Sequence, residues 1–258
     1  MIKRLIKMDL KIDRAEVLRY LQTSKDLKDD NINRLIEETT AEIKNTINFR
    51  YIYHKYPIEI SQKGINVQGT TLTLKGKSIK KHLSNSEEIY LMAATLGAQV
   101  DKKISYYEKI SVTKSMIFDA CATTAIEAGC DRVEEEIKEK VQAAGNEDIT
   151  FRYSPGYGDL GIDIQNEILR ILNAPKKIGL TASKYNMLLP TKSVTAIIGV
   201  ISDKKEVVQE TGNNLDSFKE DNNLEARDLE FEERHCKNCL LYEDCELRRK
   251  GIYCGAKG

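Results

Sequence analysis

Apolar residues recur with two different periods along the 258-residue chain, and the changes of period mark out its elements. In "DDNINRLIEETTAEIKNTIN", Ile32, Leu35, Ile36, Thr39 and Ile43 share one helical stripe, and Asp29 or Asp30 stands where an N-cap belongs. "EVLRYL" carries the same spacing. Residues 111–144 form the longest such run, with Ile126, Cys130, Val133, Ile137 and Val141 at intervals of 4, 3, 4 and 4 and Gly145 as a fitting stop. A period of two takes over in "FRYIYHKYPIEI", which predicts an extended segment breaking at Pro57. "INVQGTTLTLKG" predicts a hairpin of β-branched strands turning at Gln68-Gly69. "SIKKHL" reads as a short helix and "DIQNEILRILNAP" as a helix closed by Pro175. Residues 194–201 are apolar on both faces and so predict a central strand. "EEIYLMAATLG" is equally apolar, either a buried strand or the start of a buried helix, and its length does not decide between them.

Composition narrows the class without naming it. Hydrophobic residues make up 41% and charged residues 31%, as in an ordinary soluble domain. Lys+Arg and Asp+Glu both number 40, so no global field draws the chain to nucleic acid or an anionic membrane. The start, "MIKRLIKMDLKIDRAEVLRYL", is interrupted by Lys3, Arg4, Lys7 and Asp9, too often for a signal peptide. No run reaches the roughly 18 apolar residues that a membrane span requires, and the expectation is a cytoplasmic protein. No internal repeat is visible, and no Gly-rich phosphate motif lies between a strand and a helix, which argues against a standard dinucleotide or P-loop enzyme.

After residue 201 the pattern fades. Residues 203–234 hold eleven acidic and five basic residues, a net charge of −6, and read as a solvated linker. The organisation expected is a folded region 1–201, an acidic linker 202–234 and a cysteine tail 235–258. The tail, "CKNCLLYEDCELRRKGIYC", spaces Cys236, Cys239, Cys245 and Cys254 as C-x2-C-x5-C-x8-C. Four thiols this close converge readily on one metal centre. Zinc favours two C-x2-C knuckles and only one is present, so an iron–sulfur cluster of the 4Fe–4S type is the better fit, with zinc and unligated redox thiols as alternatives. Arg248, Arg249 and Lys250 would offset the cluster's negative charge. His235 adjoins the first ligand as a neighbour, and Cys121 and Cys130 read as core helix residues.

One loop concentrates unusual chemistry. The chain has 4 prolines and 15 glycines, and "FRYSPGYGD" holds one proline and two glycines within residues 151–159. Pro155 fixes its own φ and pushes Ser154 into an extended conformation. Gly156 and Gly158 permit positive φ and close approach of a ligand to the backbone. Tyr153 and Tyr157 offer flat faces for a ring, and Arg152 a planar fork for a carboxylate. The plain alternative is a strand-to-helix turn whose arginine pairs with a nearby acid. Glu127, on a helical face with Met116, Ala120 and Thr124, is a candidate partner for a ligand's cation or for an internal Lys or Arg. Glu134 to Glu136 read as an exposed charge run.

"RYSPGYGD", followed by "IQNEILRIL" and "GLTASKYNMLLPTKSVTAIIG", resembles the activation (reactivation) domain of cobalamin-dependent methionine synthase. The likeness covers roughly residues 10–201, and the early "EVLRYL" is similar to the opening of small free-standing members. It implies an α+β fold, a twisted antiparallel sheet with helices around it. It also implies binding of S-adenosylmethionine over a cobalamin, in support of reductive remethylation of cob(II)alamin. By position it assigns the methionyl carboxylate to Arg152 and the pocket to Ser154, Gly156 and Tyr157, with Glu127 as the helix glutamate. The implied partners are a cobalamin-binding methionine synthase lacking its own activation domain and a flavodoxin- or ferredoxin-type electron donor, with no nucleic acid and no membrane. Where the long family members follow Pro-Gly-Tyr with a Pro/Cys/His-containing turn, this chain has "GDLGID", and the linker and tail replace their terminal elements. Competing readings are an activator of another corrinoid protein and a zinc-tailed interaction module.

Overall fold

The two central strands decide the architecture, because each is apolar on both faces. In the structure, a computed structural model, residues 3–4, 10–24, 28–145 and 148–201 are described, all within the unit Met1–Ser202. The acidic stretch 202–234 and the tail bearing Cys236, Cys239, Cys245 and Cys254 lie outside the described residues.

The strands are β1 (Lys3–Arg4), β2 (Arg50–Ile60), β3 (Ile65–Val67), β4 (Thr73–Leu74), β5 (Ser86–Thr95), β6 (Asp148–Ile149), β7 (Thr181–Ala182), β8 (Leu188–Leu189) and β9 (Ser193–Ile201). The helices are α1 (Arg14–Tyr20), α2 (Asp30–Thr46), α3 (Lys77–His82), α4 (Ala98–Ile110), α5 (Val112–Ala144), α6 (Gln165–Leu172) and α7 (Ala174–Ile178). One antiparallel sheet runs β4-β3-β2-β5-β9-β6, with β1 also paired to β2, and β7 and β8 form a separate two-stranded ribbon. This is the α+β fold the sequence resemblance implies.

Side chains on a strand alternate between faces, so a sheet covered on both sides reads as a continuous apolar run. Tyr90, Met92 and Ala94 of β5 and Ala196, Ile198 and Val200 of β9 enter one core with α1, α2, α4 and α5. Ile89, Leu91 and Ala93 of β5 and Ile197 of β9 enter the other, with α3, α6 and α7. "EEIYLMAATLG" is therefore a strand, paired with β2 on one side and β9 on the other.

Helix ends follow local chemistry. Asp29 caps α2, its carboxylate accepting from the amides of Asn31 (2.9 Å) and Ile32 (3.1 Å). Ser111 caps α5 through Lys114 N–H, and Gly145 closes it. Within α5, Gly129 allows Phe49 to approach closely, since a Cβ there would meet the Phe49 ring at 2.4 Å.

Two boundaries differ from expectation. The strand does not break at Pro57: β2 continues to Ile60, and Pro57 sits where its partner changes from β5 to β3. Neither does Pro175 close the helix of residues 165–172. That helix ends at left-handed Asn173, and Pro175 lies in the first turn of α7, where its missing N–H costs nothing.

Candidate functional site

Beyond β6 the chain continues beside β9, and the pleat sets each side chain's direction. Thr150 and Gly199 exchange hydrogen bonds, the Thr150 amide to the Gly199 carbonyl (2.9 Å) and the Gly199 amide to the Thr150 hydroxyl (2.8 Å). Tyr153 and Ile197 exchange both backbone bonds at 2.9 Å. Phe151 and Tyr153 consequently share one face, where both rings meet His82, at 4.4 and 4.9 Å between centroids. Arg152 points the other way, to α5.

On α5, Asp119, Thr123, Glu127, Asp131 and Glu134 fall at intervals of four, four, four and three, a single polar stripe. Lys192, just before β9, donates to Asp119 and Thr123, both at 2.9 Å. Arg152 takes the other end of the stripe. One guanidinium nitrogen donates to Glu134 (2.5 Å), the other to Asp131 (2.6 Å) and Glu127 (3.3 Å). Its side chain is only 13% exposed, while Glu127 and Asp131 keep 44% and 51% exposure.

The centre holds one cation and three carboxylates. Burial pushes the carboxyls of Glu127 and Glu134 above their usual range; Arg152 pulls both down and Asp131 pushes both up, with a net rise for each. Burial opposes the charge of Arg152, but the acidic groups around it, Glu134 and Asp131 among them, more than reverse this, and its affinity for a proton rises. A surplus of negative charge is thus gathered beside a guanidinium already held in place.

From Ser154 the chain leaves β9 and forms two overlapping turns. The Tyr157 amide donates to the Ser154 carbonyl (3.1 Å), and the Leu160 amide to the Tyr157 carbonyl (3.0 Å). The Gly156 amide donates to the Leu160 carbonyl (2.9 Å). Gly156 and Gly158 have φ of 95° and 53°, left-handed values that the turns require. Pro155 is buried, whereas Gly156 is exposed and Tyr157 keeps 58% exposure, its ring edge-on to Tyr153 at 6.1 Å. The loop is stiff, as its composition predicts. Its own bonds take up three of its amides and three of its carbonyls, and the Tyr157 ring is left exposed.

The structure brings Arg152 and Glu127 into contact and sets Ser154, Gly156 and Tyr157 immediately after Arg152 in the same turn. It also enlarges the group. Asp131 and Glu134 were not expected at the site, and Glu134 is not part of an exposed charge run: it is 17% exposed and bound to Arg152. Glu136 also turns in, accepting from the hydroxyls of Tyr51 (2.5 Å) and Tyr53 (2.6 Å), and only Glu135 of the three stays out, at 59% exposure. The face of Glu127 is only partly buried, since Met116 is 57% exposed while Ala120 and Thr124 are buried. Extending the interval of four from Glu127 finds Asp131 in the sequence; nothing in the sequence marks Glu134 as the closer partner.

The β7–β8 ribbon is held to α6. Gln165 donates to the Asn186 carbonyl (2.8 Å) and accepts from the Thr195 hydroxyl (2.7 Å). Tyr185, Met187 and Leu189 on this ribbon are exposed. Among the described residues, no group of three or more His, Cys, Asp or Glu is arranged to hold a metal ion, and no helix is long and apolar enough to cross a membrane.

No protein-family profile matches the chain, and no curated protein sequence matches it. A solved structure does, the crystal structure of the MetH reactivation domain bound to AdoHcy, with a TM-score of 0.56 over 76% of this chain and 75% of that one, at 16% identity. The chain has the fold of a MetH reactivation domain.

Proposed function

We propose that this protein binds S-adenosylmethionine at Arg152 and supports the reductive remethylation of cob(II)alamin carried by a separate cobalamin-dependent methionine synthase. The observation that carries the reading is the Arg152–Glu127 pair at the root of the 154–160 loop, in a fold like that of a reactivation domain bound to AdoHcy. The donor set fits the ligand's chemistry. A guanidinium suits the α-carboxylate, and one carboxylate is enough to hold Arg152, leaving negative charge for the ammonium and sulfonium groups. Glu134, at 17% exposure, acts as the permanent support of Arg152; the more exposed Glu127 and Asp131 are free to turn to the ligand. Tyr157 gives a flat exposed face, while Ser154 and Gly156 fix the loop's path.

When bound, S-adenosylmethionine supplies the methyl group that the partner's cobalt accepts. This chain's residues bind and orient it, and no general acid, base or nucleophile is assigned. The partner is a methionine synthase without its own activation domain, and the electron comes from a flavodoxin- or ferredoxin-type donor. The exposed apolar side chains of Tyr185, Met187 and Leu189 on the β7–β8 ribbon, and separately the exposed Tyr157 ring, are surfaces a docking protein could cover. Cys236, Cys239, Cys245 and Cys254 are proposed, from their spacing, to hold a 4Fe–4S cluster or zinc. Iron and sulfide assay with a visible spectrum tests this, and stoichiometric zinc without visible absorption removes the redox role.

Titration calorimetry with S-adenosylmethionine tests the binding site. The wild type binds, and Arg152→Ala loses about 100-fold in affinity, the scale of a charge-assisted bidentate contact. Equal binding by the two proteins would take Arg152 out of the site.

A further inference from the structure

The loop after Arg152 is also tied down at its outgoing end. Asp159 extends its carboxylate across to α3, where one oxygen accepts from the Lys77 amide (2.5 Å) and the other from the Ser78 amide (3.0 Å). Helix α3 has no capping side chain of its own, because its N-cap position is Gly76. Asp159 supplies the missing cap from 82 residues away in sequence. These amides hold its carboxyl below the usual range, the Lys77 amide foremost, so it is charged and fully engaged at neutral pH.

Both sides of the joint are shaped to admit it. Gly76 adopts φ of 138°, and a Cβ there would lie 2.6 Å from one carboxylate oxygen of Asp159. A Cβ on Gly158 would lie 2.6 Å from the Tyr153 hydroxyl and 3.0 Å from Ser78 Oγ. That hydroxyl in turn donates to the Tyr157 carbonyl at 3.3 Å. The loop is therefore fastened at Tyr153 on its incoming side and at Asp159 on its outgoing side. Between the two fastenings stand Ser154, Gly156 and the exposed Tyr157. Without Asp159, the outgoing side would keep its turns and the buried Leu160 but lose its tie to α3.

We infer that Asp159 is a positioning residue for S-adenosylmethionine: by docking the outgoing end of the loop on the amides of Lys77 and Ser78, it presents Gly156 and Tyr157 to the ligand already ordered. The inference rests on the proposed function. Preorganisation acts on affinity because a loop that is free in the unbound protein must be ordered on binding.

Calorimetry with S-adenosylmethionine on the full chain, beside thermal unfolding, separates positioning from stability. Asp159→Ala weakens binding about tenfold, and Asp159→Asn, which keeps an acceptor, restores most of it. Gly76→Ala breaks the same joint from the α3 side and weakens binding similarly. Ile137→Val, in the core of α5, lowers the melting temperature without changing affinity. Wild-type protein that binds while Asp159→Ala and Gly76→Ala bind equally well overturns the inference alone. So does a loss of affinity that Ile137→Val reproduces. Wild-type protein that fails to bind overturns the proposed function, and the inference with it.

Discussion

Two charged centres flank α5, and they are opposites. Near its N-terminus a single carboxylate, Glu42, is surrounded by donors: Lys103 at 2.7 Å, Lys114 at 3.2 Å, and the Tyr107 hydroxyl at 2.6 and 2.7 Å from its two oxygens. Burial alone would raise its pKa, but these partners win and bring it down to about 2. Further along α5 the ratio is reversed, with one guanidinium among three carboxylates, two of which end above their usual range. At the first centre the carboxylate itself is saturated with donors. The second is over-supplied with one sign, an arrangement that costs stability unless something cationic completes it. The difference is that between an acid saturated by donors and a guanidinium surrounded by more acids than it can neutralise.

The comparison can be broken most sharply at Glu42. Glu42→Ala strands two lysines and the Tyr107 hydroxyl and should lower unfolding free energy by about 2 kcal/mol in urea titrations. It should leave the affinity for S-adenosylmethionine unchanged, and a parallel loss of affinity would show that the two centres are not independent. The pH dependence carries the same contrast. The folded pKa of Glu42 lies below its ordinary 4.5, so its contribution is complete above that value and is lost as pH falls toward about 2. Unfolding midpoints of the wild type should fall over this window, and those of Glu42→Ala should fall less. The carboxyls of Glu127 and Glu134 work the other way, since their folded values are raised. Their contribution is complete at low pH and is lost as pH rises through the raised values, which partly offsets the gain from Glu42. The smallest effect is expected at the ligand's cation: Glu127→Gln should weaken S-adenosylmethionine about fivefold while leaving stability within about 0.5 kcal/mol, because its ion pair is half exposed. Calorimetry on that variant reads the first quantity and urea titration the second.

The contrast also explains how much the sequence revealed. Helices with one buried face, such as α2 and α5, are legible because their apolar stripe and caps are local. The strand of residues 86–95 is ambiguous because both of its faces are buried, which erases the alternation that identifies a strand. Pro57 and Pro175 mislead for a related reason. Each sits where its missing amide has no role, at a change of strand partner and in a first helical turn, and neither context is visible locally. At the site, Arg152 and Glu127 were singled out by residue type and by resemblance, and the structure places them together. Glu134 was missed because its neighbours Glu135 and Glu136 make it look like solvated charge; only the position of Arg152 beside β9 turns it into a partner. Asp159 closes "RYSPGYGD" and lies in the "GDLGID" stretch where the chain departs from the family pattern, and its contact with α3 spans 82 residues of sequence.

The central claim is that Arg152 grips the ligand's carboxylate, and the ligand itself can test it. Calorimetry should compare S-adenosylmethionine with its decarboxylated analogue on wild type and on Arg152→Ala. Wild type should prefer the intact ligand by about 100-fold, and the variant should show almost no preference, because only the lost guanidinium distinguishes the two. A wild type that binds both equally, or a variant that keeps the preference, would contradict the account.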